Sequence, residues 1–150
     1  MSVSRRSLLT YAVALTIAAG LPFVSVALAP VDAARCVRDG VEIGALLRVR
    51  VVAEGGTSSA FCSIRCAEEW IAHAARAGDA GRLRVLVADE KSGAEIDARD
   101  AVFVRSRILT LRTTGERIHA FGSRADAEAH AAAFGGTLLD GVERPFRTIP

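Results

Sequence analysis

The chain has 150 residues, 51% of them hydrophobic and 24% charged, with a formal net charge of +2. That length allows one domain, or two small halves sharing a core. The near-neutral balance, with arginines scattered rather than striped, excludes an electrostatic footprint for nucleic acid.

Ser4-Arg5-Arg6-Ser7-Leu8-Leu9 is a twin-arginine start, and an apolar run from Leu8 to Leu28, interrupted at Pro22, follows it. Val31-Asp32-Ala33 places small residues where processing needs them, so residues 1–33 read as an export signal cleaved after Ala33 or Ala34. The expected destination is the periplasm. The alternative is an uncleaved N-terminal anchor, because the run is nearly long enough to span a bilayer; a membrane partner follows only in that case. Arg35 before Cys36 disfavours a lipoprotein. Removing residues 1–33 takes away two of the 19 basic and one of the 17 acidic residues, so the charge moves only from +2 to +1. An oxidising compartment permits disulfides, and three cysteines leave at least one free, metal-bound or paired between chains.

After the signal, Arg35-Cys36-Val37-Arg38-Asp39-Gly40 reads as a turn with Asp-Gly at its tip. The β-branched run Val49-Arg50-Val51-Val52 predicts a strand over about Leu46–Ala53, and Glu54-Gly55-Gly56 turns it into a return strand, Thr57–Cys62. Ser63 is a good N-cap for a helix from about Ile64 to Ala77, which Gly78 ends. Alternation at Leu83, Val85 and Val87 predicts a strand over Arg82–Ala88, so the first half reads β-β-α-β. Asp89 to Gly93 is a polar turn, and Ile96 to Ala101 is expected to be a short helical turn or an irregular link. Strands then follow at Val102–Leu109 and Arg117–Gly122. Ser123 caps a helix over Arg124–Phe134, Gly135-Gly136 stops it, and Thr137-Leu138-Leu139 is a last short strand.

A shift of sixty residues lays Ala60-Phe61-x-Ser63 on Ala120-Phe121-x-Ser123, Ala67-Glu68 on Ala127-Glu128, and Ala72 on Ala132. Both copies fall at a strand-to-helix junction, which predicts an internal duplication. The expected fold is α+β, with two ββαβ-like repeats sharing one core because neither half buries enough apolar surface alone. The expected organisation is a signal at 1–33, a domain at 34–143 with halves at about 36–88 and 89–140, and an irregular tail at 144–150.

Cys62 and Cys66 stand four apart, one ending a strand and one in the first turn of a helix. The second copy has Gly122 and Asp126 there, so the thiols are not demanded by the repeat. The helix N-terminus favours the Cys66 thiolate. Two thiolates at this spacing can approach one soft ion, Cu(I) first and zinc as competitor; the same spacing permits a structural disulfide, and the residues alone leave both open. Cys36 can swing over the junction as a third ligand or pair with Cys62 or Cys66. His119, in the strand matching Ser59, is a further possible ligand. His73 and His130 lie among helical alanines and read as structural or exposed, and Trp70 reads as a core anchor. Paired carboxylates, a Ser-His-Asp set and a phosphate-binding Gly loop followed by lysine are missing from the sequence, so no hydrolase or kinase reading arises.

Three blocks carry a resemblance: Phe61-Cys62-Ser63-Ile64-Arg65-Cys66-Ala67, then Ile96-Asp97-Ala98-Arg99-Asp100-Ala101-Val102-Phe103-Val104, then Ile118-His119-Ala120-Phe121 with Asp126-Ala127-Glu128 and Phe134-Gly135-Gly136. Over about Arg35 to Asp140 the chain resembles the NosL family, accessory copper-binding proteins of nitrous oxide reductase assembly. The resemblance implies a fold of two ββαβ-like halves akin to the organomercurial lyase scaffold. It also implies Cu(I) as the metal and a client metalloenzyme, nitrous oxide reductase or another copper enzyme, as the partner. Family members typically open with Cys-x-x-Cys-Gly-Met, whereas Cys36-Val37-Arg38-Asp39-Gly40-Val41 keeps only the first cysteine and the glycine. Their Gly-Pro-Met segment is replaced by Leu109-Thr110-Leu111-Arg112-Thr113-Thr114-Gly115, and Met1 is the only methionine. The ligand set then implied is Cys62 and Cys66 with Cys36 or His119. The competing readings are a non-metal interaction module with a structural Cys62–Cys66 disulfide, and a thiol oxidoreductase or carbon–mercury lyase resting on the thiols alone.

Overall fold

The computed structural model describes residues 34–78 and 81–149. The export signal expected at 1–33 lies outside the described residues. Among the described residues, seven strands and two α-helices follow in the order β1 (Val49–Ala53), β2 (Ser58–Phe61), α1 (Ile64–Ala77), β3 (Leu83–Ala88), β4 (Glu95–Asp97), β5 (Val102–Arg105), β6 (Ile118–Phe121), α2 (Arg124–Phe134) and β7 (Thr137–Leu138). They form two antiparallel sheets, ordered β2-β1-β3-β4 and β6-β5-β7.

In the first sheet β1 lies between β2 and β3 because its valines are paired on both sides: Val49 faces Phe61 and Val87, and Val51 faces Ser59 and Val85. Val49, Val51, Val85 and Val87 are all buried, and the period of two puts them on one face. In the second sheet β5 holds the same middle place, between β6 and β7. Buried residues from both sheets and from α1, among them Val49, Phe61, Ala67, Phe103 and Ala120, belong to one hydrophobic cluster. The two sheets therefore share a core.

The helices form where the caps place them. Ser63 Oγ accepts from the Cys66 N–H at 3.2 Å, and Ser123 Oγ accepts from the Asp126 N–H at 3.1 Å. Helix α1 buries Ile64, Cys66, Ala67 and Ile71 and ends at Gly78, whose φ of 81° is left-handed. Helix α2 buries only Ala127; its alanines favour the helix intrinsically and allow close packing. At its end Gly136 passes so near β5 that a Cβ would stand 2.9 Å from the Arg105 carbonyl oxygen, so a side chain there forces the strand away.

Three segments differ from expectation, each for a visible reason. Ile96 to Ala101 does not begin as a helical turn: Glu95–Asp97 is β4, pairing Val87 with Ile96 at the edge of the first sheet. The edge tolerates these acids because Arg50 donates to Glu95 at 3.1 Å and Arg84 donates to Asp97 at 3.0 Å. β1 begins at Val49 rather than Leu46, since Leu47 N–H closes a turn on the Gly44 carbonyl at 3.2 Å. β5 ends at Arg105 because Ser106 turns its hydroxyl inward to meet His119. The tail beyond Glu143 is irregular but packed: Phe146 is buried, stacks near Phe103 at 6.2 Å between ring centroids, and donates its N–H to Glu68 Oε1 at 2.9 Å. Trp70 is half-buried against Phe61 rather than inside the core, with ring centroids 5.5 Å apart. No helix among the described residues is long and apolar enough to cross a membrane.

Candidate metal centre

Two segments separated in sequence build a thiol cluster between β2, α1 and the turn that precedes β1. Cys62 is the residue after β2, and Cys66 is in the first turn of α1, held there by the Ser63 cap. The Cys36 turn is docked onto β2: Val37 N–H donates to the Ala60 carbonyl at 3.0 Å, and Cys36 N–H donates across the turn to Val41 at 2.8 Å. All three cysteines are buried and free. The Cys62 and Cys66 sulfurs are 3.7 Å apart, and Cys36, Asp39, Cys62 and Cys66 each bring one donor atom within 4.8 Å of the others.

Asp39 was not singled out from sequence, where it read only as the tip of a turn. Its carboxylate accepts from Cys66 at 3.2 Å and from Cys62 at 3.5 Å, and its Oδ1 accepts the Val41 N–H at 3.1 Å. Desolvation pushes the Asp39 carboxyl up, but the hydrogen bonds from Cys36, Cys66, Val41 and Cys62 outweigh it and hold its pKa at about 2. The prior signal was its position three residues after Cys36, where the family that the sequence resembles carries its second cysteine.

The thiols behave differently from the helix-dipole expectation. Burial pushes Cys62 up strongly, and its contacts with Cys66 and Cys36 add to that. Burial also pushes Cys66 up; the Ser63 contact opposes this, and the Asp39 carboxylate reinforces it. Burial therefore favours the thiol form of Cys62 and Cys66, and metal binding there releases protons. The cluster nevertheless has an outlet. Asp39 is exposed, and together with Cys66, Arg38, Arg65, Glu69 and Thr114 it lines a surface cleft of about 370 Å³.

His119 stands elsewhere. It is buried on β6, in a group with Glu90 and His130. Its Nδ1 meets Glu90 Oε2 at 2.5 Å, and its Nε2 meets Ser106 Oγ at 2.9 Å. It reaches the thiol side only across a small cavity that Cys62, Glu90 and His119 line together. Thus the structure joins Cys36, Cys62 and Cys66, and separates His119 from them. His73 is exposed on α1.

Neither a protein-family model nor a curated protein sequence matches the chain. Among solved structures, the crystal structure of the copper chaperone NosL from Shewanella denitrificans matches it with a TM-score of 0.54. The fold is that of NosL. The match has 24% sequence identity and covers 69% of this chain and 84% of that NosL chain. The resemblance to NosL read from the sequence is therefore met at the level of fold, by a mixed α and β architecture with two antiparallel sheets and two helices.

Proposed function

We propose that this chain is a periplasmic accessory protein that binds Cu(I) through Cys36, Cys62 and Cys66 and delivers it to a client metalloenzyme. The observation that carries the reading is the convergence of three buried thiols onto one point, Cys36 from one segment and Cys62 and Cys66 from another. The donor set fits the ion: thiolates select soft Cu(I) over harder divalent metals. The spacing fits as well. Cys62 and Cys66 stand with their sulfurs 3.7 Å apart, close enough for both to reach one ion.

Copper here is cargo. The cleft that reaches Cys66 and Asp39 supports handover by ligand exchange, in which a thiolate or imidazole of the client enters as a protein thiolate leaves. The kinship in fold with a copper chaperone supports the same direction. Nitrous oxide reductase or another copper enzyme is the client class, and the twin-arginine start supports export to the periplasm. The runs β2-β1-β3 and β6-β5-β7 each set the first strand between the next two in sequence, with β4 added at the edge of the first sheet, and this supports duplication of a ββαβ unit.

The test is a competition titration of the reduced protein with Cu(I) against a chelator of known affinity. Cys62→Ser and Cys66→Ser should each lose at least about tenfold in affinity, 1.4 kcal/mol or more. Binding equal to wild type in both variants would rule the thiol site out. The 3.7 Å approach of Cys62 to Cys66 also favours a second reading, a structural disulfide in a non-metal interaction module. Protein isolated from the periplasm with a stable two-proton mass deficit, unchanged by copper and mild reductant, would establish that reading instead.

A further inference from the structure

The histidine cluster in the second half is built from three elements. Glu90 follows β3, and its N–H donates to the Ala120 carbonyl at 2.9 Å, which ties that turn to β6. His119 lies on β6 and is 1% exposed, so its ring is fixed by packing. His130 comes from α2, with its ring centroid 4.2 Å from that of His119. Ser106 sits between the imidazoles. Its Oγ receives the Ile108 N–H at 3.1 Å, lies 2.9 Å from His119 Nε2 and lies 3.3 Å from His130 Nε2.

We propose that Glu90, His119 and His130 form a second metal site, separate from the thiols, that takes a divalent cation of borderline softness such as Zn(II). One donor atom from each residue falls within 4.8 Å of the other two. Two imidazoles and a carboxylate are the nitrogen and oxygen set that zinc takes when one coordination position stays open. With no sulfur donor, the set favours divalent zinc over Cu(I).

Two features go beyond an ordinary buried histidine pair. An ion pair alone needs Glu90 and His119, yet the chain brings a second of its three histidines onto the same point from another element. The supporting hydrogen bonds are also in place. With a metal on His119 Nδ1, beside Glu90, Nε2 keeps Ser106 as its partner, as metal-bound imidazoles require. Beside Glu90 and His119 lies a cavity with about 20 Å³ open to the centre of a water molecule, room for one water-sized ligand at the open position. The same atoms already contact one another: His119 Nδ1 meets Glu90, and Ser106 Oγ meets the Nε2 atoms of both His119 and His130.

The experiment is an anaerobic Co(II) titration of the full chain, followed by displacement with Zn(II), in wild type and in the Cys36→Ser/Cys62→Ser/Cys66→Ser variant. The expected result is one equivalent of Co(II) retained without the three thiols, showing ligand-field bands and no sulfur-to-cobalt charge transfer. His130→Gln and Glu90→Gln, at half-buried positions, should each weaken it by at least about tenfold. If the triple variant does not fold, the same titration is run on wild type whose thiols already hold Cu(I). Absence of a sulfur-free equivalent, or His130→Gln and Glu90→Gln binding as wild type does, overturns the proposal. Failure of Cu(I) to occupy the thiols shows as a separate loss and leaves the cobalt result standing.

Discussion

Asp39 Oδ2 lies 3.2 Å from Cys66 Sγ, so a carboxylate open to solvent accepts from a thiol that is 1% exposed. An acceptor with negative charge stabilises the protonated sulfur and repels the thiolate, and this adds to the effect of burial on Cys66. Replacing Asp39 with Asn removes the charge while keeping the shape. Cys66 should then ionise at lower pH, and its alkylation at a fixed neutral pH should speed up severalfold. Thiolate absorbance followed across a pH titration checks this; an unchanged or upward midpoint would show that Asp39 does not govern the sulfur.

Glu116 joins the halves by a different means. One carboxylate oxygen accepts the Arg65 N–H at the start of α1 at 3.0 Å, and the other accepts the Arg117 and Ile118 N–H groups at 3.0 and 3.1 Å. Glu116→Gln puts an amide NH₂ against at least one donor and should cost about 1–3 kcal/mol. The measurement is a urea unfolding curve, with a lower midpoint at unchanged slope. No shift would mean that water satisfies those donors as well as the carboxylate does.

Phe61 and Phe103 are fully buried, while Trp70 is only half-buried. Phe61→Ala and Phe103→Ala should each destabilise by about 3–5 kcal/mol, because each leaves a cavity as well as losing transfer energy. Trp70→Ala should cost clearly less than either. Chemical denaturation of the three variants ranks them, and Trp70→Ala as the most damaging of the set would contradict the placement of the core.

Asp97 supplies a pH dependence. The Arg99 guanidinium, then the Arg99 N–H and Arg84, hold its carboxyl well below the usual range against a smaller opposing effect of desolvation. A carboxyl with a lowered folded pKa contributes stability above its unfolded value, about 3.9, and that contribution is lost as pH falls through the folded value. Asp97→Asn should therefore flatten the loss of stability below about pH 4, and at neutral pH cost only about 1 kcal/mol, as the arginines are exposed. Unfolding curves at a series of acid pH values test it. A wild-type slope retained in the variant would assign the acid sensitivity to other carboxylates.

Much of the fold was legible because its signals are local. Ser63 and Ser123 announce helix starts through hydrogen bonds to the third residue on, and the helix bounds Ile64–Ala77 and Arg124–Phe134 agree with the sequence reading. The valine alternation announces β1 and β3. Glu95–Asp97 was missed because an acidic edge strand has no apolar alternation; its stability comes from arginines on β1, β3 and the adjoining turn. Phe146 was passed over among prolines and charges, since burial of one aromatic in a tail leaves no periodic trace.

The amino-acid sequence by itself determined where helices and strands begin, and that Cys62 and Cys66 share a strand-to-helix junction. Chain separation is short there, so backbone geometry alone brings those residues close. Only the tertiary structure decided that Cys36 and Asp39 close over that junction, and that His119 turns away from it toward Glu90 and His130. Those pairings span many residues and depend on which strand edges dock, through bonds such as Val37 to Ala60 and Glu90 to Ala120. No local pattern records such a choice; it is settled when the two halves bury one core, and the same event sorts the thiols from the imidazoles.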